Sequence, residues 1–172
     1  MRELLETFGD DGKPTGLVAR NVVHQGGLWH RASNVFLFRT DGRLIVQRRQ
    51  MSKDVCPGAW DLSVAEHLKP GEGFLAGAIR GLREELGIEG VKLEPVGDVI
   101  RARLEIADLG IKDYELQMCY RSVSDADLKP QSNEVADIRL FTLADLKTVM
   151  QNAPNEFTPW FHDRAQDIGL FD

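Results

Sequence analysis

Three glutamates and an arginine are spaced so that they could bind a metal ion. Glu84 and Glu85 lie on one face of the amphipathic helix predicted for residues 74–86, and Glu72 lies in the turn before it. Mg²⁺ prefers oxygen ligands and is commonly held by a few carboxylates together with waters and substrate phosphates. Arg80, one helical turn before Glu84, can pair with that carboxylate and hold its orientation. The spacing indicates a magnesium site for a phosphorylated substrate; the alternative is an ordinary solvated helix face.

Two glycines, Gly77 and Gly81, share this helix face with the glutamates. A glycine inside a helix costs about 0.5–1 kcal/mol relative to alanine, so two of them require compensation. Either they leave room for a ligand, or they let the helix pack closely on a sheet. The apolar face of the helix is predicted to consist of Leu75, Ala78, Ile79, Leu82 and Leu86.

The elements that must position this helix are predicted to be hairpins of strands with a few further helices. Strands in hairpins with helices between them favour a mixed sheet packed by helices, an α+β or sandwich arrangement. The predicted segments are a hairpin over 3–22 with its turn at 9–12, a hairpin of 34–39 and 43–49, a short strand at 60–65, strands near 91–106, 112–122 and 135–141, and helices near 142–152 and 156–168.

Composition excludes several classes of protein. The chain has 172 residues, 42% of them hydrophobic and 28% charged, and no repeat or linker divides it, so we expect one domain over residues 1–172. There are 21 lysines and arginines against 27 aspartates and glutamates, a net charge of −6, which disfavours a long nucleic-acid partner. We find neither a membrane-spanning apolar stretch nor a secretory signal and expect a cytoplasmic monomer or homodimer.

The two cysteines, Cys56 and Cys119, are too few for a disulfide framework. We expect both to be reduced thiols. Cys56 precedes a Pro-Gly turn and has no neighbours that suggest a nucleophilic triad, so a structural role is favoured.

Residues 66–88 resemble the Nudix box, the signature of the Nudix hydrolase family. That pattern is glycine, five residues, glutamate, seven residues, arginine, glutamate, an aliphatic residue, any residue, two glutamates, any residue, glycine and an aliphatic residue. Two positions depart from it, because Glu66 stands where the family has glycine and Gly81 where it has glutamate. The matching positions are Glu72, Arg80, Leu82, Glu84, Glu85, Gly87 and Ile88.

The resemblance implies an α/β/α sandwich that hydrolyses a diphosphate linkage with Mg²⁺, or with Mn²⁺ in its place. It makes Glu84 and Glu85 the main metal ligands, Glu72 a supporting ligand and Arg80 the residue that orients the acids. The metal would bridge phosphate oxygens and help a water attack phosphorus. The implied substrate is a nucleoside diphosphate derivative or another small organic diphosphate, with specificity coming from loops outside the box.

Gly81 leaves open which acid is the base that activates the water. In this family that acid often lies outside the box, and Glu115 and Glu134 are the candidates here. Glu134 is favoured slightly because it lies at the start of a predicted strand. The alternative for Glu134 is an ordinary surface acid.

A wider resemblance links the chain to the Nudix branch that contains isopentenyl diphosphate isomerase. It implies metal-ligand positions at or near His24, His30, His67 and Glu115. Ala65 stands where the isomerase has its catalytic cysteine, and Gln117 where it has its catalytic glutamate, so the proton shuttle of an isomerase is missing. The segments that carry this resemblance are 24–30, 48–49, 52–53, 57–60, 65–67, 71–72 and 157–160.

Several further residues are candidates for binding the substrate: Arg48, Arg49, His67, Glu115 and Trp160. Strand alternation sends one of the two arginines inward, where it can hold a phosphate, and the other into solvent. The histidines could instead bond to backbone, and the tryptophan could be part of the core. Besides the hydrolase, two functions remain open: a diphosphate-binding module without turnover, suggested by Gly81, and, least favoured, an isomerase.

Overall fold

The computed structural model describes residues 3–172. Along the chain its strands and helices are β1 (Leu4–Phe8), β2 (Pro14–Ala19), α1 (Arg20–Gly26), β3 (His30–Phe38), β4 (Leu44–Arg49), β5 (Trp60–Asp61), β6 (Val64–His67), α2 (Phe74–Gly81), β7 (Glu94–Ile106), β8 (Ile111–Val123), β9 (Val135–Phe141), α3 (Leu143–Asn152) and α4 (Pro159–Asp167). A single wide helical turn, Leu82–Leu86, continues α2. Short 3₁₀ turns occupy Ala107–Leu109 and Pro154–Glu156.

The strands form a small sheet and a large mixed one. β1 and β2 pair as an antiparallel hairpin, and the seven-stranded sheet has the order β5-β4-β3-β8-β7, with β6 also on β3 and β9 also on β4. β3 and β8 run parallel, which places His30 opposite Glu115. β6 runs antiparallel to β3 and places His67 opposite Ala32. These three strands therefore bring histidines and acids from distant parts of the sequence to one region.

Helices cover both faces of the large sheet, so the predicted α+β sandwich with a mixed sheet is confirmed. Alternate residues of β3 point to opposite faces, as strand geometry requires. Phe36 and Phe38 belong to a cluster with residues of α3 and α4, and Val35 and Leu37 to a cluster with residues of α2 and the turn after it. Burial of these clusters is the main favourable contribution to the stability of the fold.

Two of the predicted elements are wrong in their extent. The hairpin over 3–22 ends at Ala19, because residues 20–26 form α1, which ends at Gly27 in the left-handed conformation. The strand at 60–65 is divided, because β5 pairs with β4 whereas β6 pairs with β3. Ser63 lies at the division, where its hydroxyl accepts from the Leu37 amide and donates to the Ile45 carbonyl. A side chain thus replaces strand pairing at this point.

The apolar face predicted for the helix is only partly correct. Ala78, Leu82 and Leu86 are buried, but Leu75 and Ile79 are nearly half exposed. The wide turn after Gly81 rotates the later residues relative to a regular helix, and the glycine face lies against the sheet. Close packing, rather than open space, is therefore what compensates for the glycines.

Gly81→Ala is expected to destabilise the protein by about 1–3 kcal/mol, the usual cost of overpacking a tight contact. A Cβ at Gly81 would lie 2.6 Å from Cγ1 of Val64, which cannot move freely in β6. The free energy of unfolding in urea measures the effect. Gly73→Ala is the control, because its Cβ would meet nothing within 4 Å. A Gly81→Ala protein more stable than the native one would contradict this packing.

None of the helices within residues 3–172 is long and apolar enough to cross a membrane. Cys56 and Cys119 are both free thiols. Cys119 is buried in the sheet, and burial raises its pKa to about 11. A thiol with so high a pKa stays protonated and unreactive at neutral pH.

Candidate functional site

A cavity of about 470 Å³ lies where β3, β6, β8 and the helix of residues 74–86 meet. It is lined mainly by charged and amide side chains. Of the candidate catalytic, metal-binding and substrate-binding residues, three do not line it: Glu72, Arg48 and His30. The candidates that line it are His24, Arg49, His67, Arg80, Glu84, Glu85, Glu115, Glu134 and Trp160, together with Ala65, Glu66 and Gln117.

Three histidines and an aspartate form a compact cluster beside this cavity. One potential ligand atom from each of His24, His30, His67 and Asp113 lies within 4.8 Å of the others. Oδ1 of Asp113 is 3.3 Å from Nε2 of His30, and Oε1 of Glu115 is 3.1 Å from Nε2 of His67. We call these five residues the histidine cluster. It joins α1, β3, β6 and β8, so only the folded sheet assembles it.

The histidine cluster has the chemistry and the free atoms to hold a divalent metal. Among residues 3–172, Nε2 of His24, Nε2 of His30 and Oδ1 of Asp113 are buried with no well-aligned hydrogen-bond partner. Nδ1 of His30 lies 3.0 Å from the Leu28 carbonyl, and donation there leaves Nε2 as the electron-pair donor. Imidazole and carboxylate ligands together suit divalent metals of the zinc and manganese type. The residues present therefore fit a metal ion.

The electrostatics of the histidine cluster favour a positive charge between its carboxylates. Burial lowers the pKa of His24 to about 4, so its ring is neutral. Burial also disfavours charge on His30, but Asp113 and Glu115 beside it raise its pKa to about 10. Burial acts to raise the pKa of Glu115 as well, yet contacts with the imidazoles of His30 and His67, at 3.6 and 3.1 Å, hold it well below its usual range. A proton on His30 or a bound cation can supply the charge that these acids require.

Arg80 is the centre of a second group of acids, from the predicted box. Its guanidinium donates to both oxygens of Glu72, at 2.9 and 2.8 Å, and to Glu84 at 3.1 Å. It also lies 3.1 Å from Glu66 and donates to the His67 carbonyl. The two hydrogen bonds that Arg80 donates to Glu72 are the main cause of the lowered pKa of Glu72. Arg80 thus fixes the positions of three carboxylates at once.

Glu85 is the most deeply buried acid of the box. Its Oε2 accepts a 2.6 Å hydrogen bond from Nε2 of Gln47. Burial, together with the charge of Glu66, raises the pKa of Glu85 well above its usual range. Such a carboxyl ionises readily only when a cation is bound beside it. Glu84, by contrast, is 41% exposed at the rim of the cavity.

Within residues 3–172 the predicted ligands Glu72, Glu84 and Glu85 are not drawn together as closely as the histidine cluster. Its three histidines and Asp113 are the one set of three or more histidines, cysteines or acids in this part of the chain whose ligand atoms all lie within 4.8 Å. A metal at the box would therefore share its coordination with waters and substrate phosphates, as Mg²⁺ commonly does.

Glu134 reaches the cavity from the loop that precedes β9. The amide of Gln131 bonds to the Glu85 carbonyl at 3.1 Å, and the amide of Glu134 bonds to the Gln131 carbonyl at 3.0 Å. The Glu134 carboxylate forms an ion pair with Lys53. Both members of the pair line the cavity, so an acid and a lysine lie together at its edge.

The two arginines of β4 diverge, as strand alternation predicts. Arg49 lines the cavity, where it pairs with Asp61 at 3.2 Å and stacks 5.1 Å from the ring centre of Trp160. Trp160 donates from Nε1 to the same aspartate at 2.8 Å. Arg48 is outside the cavity, and its Nε donates to the Gly58 carbonyl.

A buried polar network forms the floor of the cavity around Gln117. Its Oε1 accepts from Nδ2 of Asn34 at 3.1 Å and from Nη1 of Arg164 at 2.7 Å, and its amide donates to Glu115. Arginine can only donate, so the facing atom must be the carboxamide oxygen and the amide group must face Glu115. The orientation of Gln117 is therefore fixed by its neighbours.

Sequence reasoning missed Asp113 and Arg164. Asp113 could have been found, because positions 113, 115 and 117 alternate on one face of a strand. Arg164 carries no such signal, since nothing in the sequence places a residue of α4 behind β8. Its burial, at 6% exposure, is a product of the tertiary fold.

Comparison with known proteins connects this geometry to one family. The model of the NUDIX domain matches residues 28–161. The chain is 33% identical over 159 residues to an isopentenyl-diphosphate Delta-isomerase of Streptomyces avermitilis, covering 92% of this chain and 79% of the relative. It is 32% identical to the enzyme of the same name from Kocuria rhizophila, covering 98% and 93%.

Solved structures share the fold. A Deinococcus radiodurans protein superposes with a TM-score of 0.69 at 24% identity, covering 87% of this chain and 90% of that one. The NUDIX domain of Shewanella oneidensis NrtR, solved with ADP ribose, superposes with a TM-score of 0.55 at 18% identity, covering 68% and 75%. At these sequence identities the structural similarity establishes the shared fold alone.

Proposed function

Since the chain belongs to the NUDIX family, we propose that it is a divalent-metal-dependent hydrolase that cleaves the diphosphate linkage of a small organic diphosphate, such as a nucleoside diphosphate derivative. The observation that carries this proposal is the single cavity that joins the histidine cluster to the glutamates around Arg80. We take residues 1–172 as one catalytic domain.

We assign metal binding to both ends of the cavity. At the box the ligands are Glu84 and Glu85, with Glu72 in support through Arg80. At the other end the histidine cluster is the second binding position. When bound, Mg²⁺ or Mn²⁺ neutralises the charge of the phosphate oxygens and so favours attack by water on phosphorus.

Glu134 is the proposed base that takes the proton from the attacking water. Glu115, the other candidate, is a weaker choice because contacts with the imidazoles of His30 and His67 hold its pKa well below its usual range, despite the opposing effect of burial. Within the described part of the chain, the Glu134 side chain is bound only to Lys53. A substrate phosphate that attracts Lys53 would release the Glu134 carboxylate to accept the proton.

Substrate binding is assigned to the cations and the aromatic ring beside the box. Lys53 and Arg49 can approach the phosphates, and Trp160 lies next to Arg49 at the cavity wall. His67 and Glu115, at the opposite end, then bind substrate through the metal. Arg48 lies outside this cavity and is left without a part in the proposed reaction.

Isomerisation is disfavoured by the floor of the cavity. Ala65 and Gln117 occupy the positions at which the isomerase resemblance requires a cysteine and a glutamate. The Gln117 amide is committed to Glu115, and its oxygen to Asn34 and Arg164. A carboxamide does not exchange a proton at neutral pH, so neither position can protonate or deprotonate an alkene. The names of the relatives therefore do not decide the reaction of this chain.

A panel assay tests the proposal. The protein is incubated with Mg²⁺ or Mn²⁺ and with nucleoside diphosphates, nucleotide sugars, dinucleotides, thiamine diphosphate and isopentenyl diphosphate. Phosphate, phosphomonoester products and isomerised product are then measured. We expect metal-dependent hydrolysis and no isomerisation. Saturable binding without turnover across the panel would favour the binding module, and isomerisation of isopentenyl diphosphate would overturn the proposal.

Glu134→Gln is expected to lower kcat at least about 100-fold, the lower range of the contribution of a general base. KM should change little, because Lys53 remains available to the phosphates. The kcat of the variant on the best substrate of the panel measures the effect. Glu94→Gln, an exposed acid that pairs with Lys92, is the control. A Glu134→Gln protein with more than a tenth of the native kcat would return the assignment to Glu115.

A further inference from the structure

The two departures from the Nudix box face each other across the contact between β6 and α2. A Cβ at Gly81 would lie 3.1 Å from Cβ and 3.5 Å from Cγ of Glu66. The box pattern has glycine at the first position and glutamate at the second, and this chain has the reverse. The side chain lost from the helix is therefore replaced by one on the strand that fills the adjoining space.

The Glu66 carboxylate lies among the acids of the box. Its side chain is 21% exposed and lines the cavity, and Oε1 is 3.1 Å from Nη1 of Arg80. Its negative charge is felt by Glu85, whose pKa it helps to raise after burial. The same guanidinium nitrogen donates to Glu84 at 3.1 Å. Glu66 thus adds a carboxylate to the side of Arg80 that faces the cavity.

Pairing with Arg80 does not by itself explain why an acid is present at position 66. Arg80 already donates to both oxygens of Glu72 and to Glu84. The Glu66 carboxylate is therefore a third acid on one guanidinium, beyond the two that the box pattern places there. A cation in the cavity, which Glu66 lines, would offset the excess of negative charge.

We propose that Glu66 supplies from β6 the box carboxylate that Gly81 lacks, and that it would help Glu85 to hold the divalent metal. The inference rests on the proposed function, because it assigns a residue to that reaction. It also explains why Gly81 need not mean loss of turnover. The carboxylate lies on the strand instead of on the helix, so the number of acids facing the cavity is the same as in the box pattern.

The first experiment removes the charge and keeps the shape. Mn²⁺ binding to Glu66→Gln is titrated by electron paramagnetic resonance without substrate, beside Glu85→Gln. We expect Glu66→Gln to lower the Mn²⁺ affinity of one site by about tenfold or more. This is the site that Glu85→Gln also weakens, whereas Mn²⁺ binding at the histidine cluster should be unchanged. Hydrolysis should fall about 100-fold. Glu6→Gln is the matched control, because Glu6 is equally exposed and pairs with Arg31 at 2.6 Å outside the cavity.

The second experiment returns the carboxylate to the helix. Val64→Ala is the background, because Cγ1 of Val64 would lie 2.6 Å from a Cβ at Gly81. Adding Glu66→Gly should remove most Mn²⁺ affinity and hydrolysis, and adding Gly81→Glu as well should restore both by about tenfold or more. Melting temperatures identify variants that fail to fold. If the triple variant does not fold, the Glu66→Gln titration decides alone.

The outcomes separate this inference from the proposed function. Native Mn²⁺ affinity and native hydrolysis in Glu66→Gln, with loss of both in Glu85→Gln, would overturn the inference alone. A lower melting temperature with native Mn²⁺ affinity would also overturn it, because Glu66 would then serve only to pair with Arg80. A native protein that hydrolyses nothing in the panel and binds no Mn²⁺ would overturn both.

Discussion

Glu85→Gln is expected to lower kcat/KM for diphosphate hydrolysis by about 10³-fold, because it removes the charge of the most buried acid of the box. This charge is expected to stabilise a bound metal and the oxyanion that develops in the transition state. Loss of one interaction of this kind lowers the rate by about 10²–10³-fold. The metal-dependent rate on the best substrate of the panel, at saturating Mg²⁺, measures the loss.

The same variant is expected to fold as well as the native protein. Burial raises the pKa of Glu85, so an ionised carboxylate at this position costs stability, whereas a carboxamide is neutral. Its oxygen can still accept the hydrogen bond from Gln47. We therefore expect an unchanged or higher melting temperature at neutral pH. Activity above a tenth of the native value would contradict the assignment of Glu85 as a metal ligand.

His67→Asn is expected to remove the part of the metal-dependent stabilisation that comes from the histidine cluster. A metal that binds only the folded state at 100 times its Kd stabilises it by about 2.7 kcal/mol. Melting curves with increasing Mn²⁺ should move upward for the native protein and move upward less for the variant, in which only the box is left to bind the ion. Excess chelator should bring the two melting temperatures close together.

His162→Asn is the matched control for this measurement. His162 is a partly exposed histidine of α4 that bonds to the Pro154 carbonyl and lies outside the histidine cluster. The His162→Asn protein should retain the full metal-dependent rise in melting temperature. An equal rise in His67→Asn and the native protein would place no metal at the histidine cluster and leave the box as the proposed metal site.

Much of the fold could be predicted from local patterns of residues in the sequence. The alternation of β3 and β4 and the periodicity of residues 74–86 follow from short-range geometry, and the structure has these elements at nearly the predicted positions. The errors lie where an element responds to distant partners. β5 and β6 separate because they join different strands, and Leu75 and Ile79 are exposed because Gly77 and Gly81 face the sheet instead.

The candidate site was predicted unevenly for the same reason. Glu72, Arg80, Glu84 and Glu85 lie within one helix and its preceding turn, so their spacing is readable from the sequence. The histidine cluster depends on the parallel pairing of β3 with β8, which joins residues more than eighty positions apart. Pairing of that kind leaves no local pattern in either strand.

The sequence by itself determined the family resemblance, the box and the absence of an isomerase's proton shuttle, because each depends on residue types at short spacings. Only the tertiary structure decided that Glu66 adjoins Gly81, that Asp113 completes the histidine cluster and that Arg164 fixes Gln117. Those are contacts between strands and helices brought together by burial of a shared core. Their specificity comes from packing and charge in three dimensions, which linear spacing does not encode.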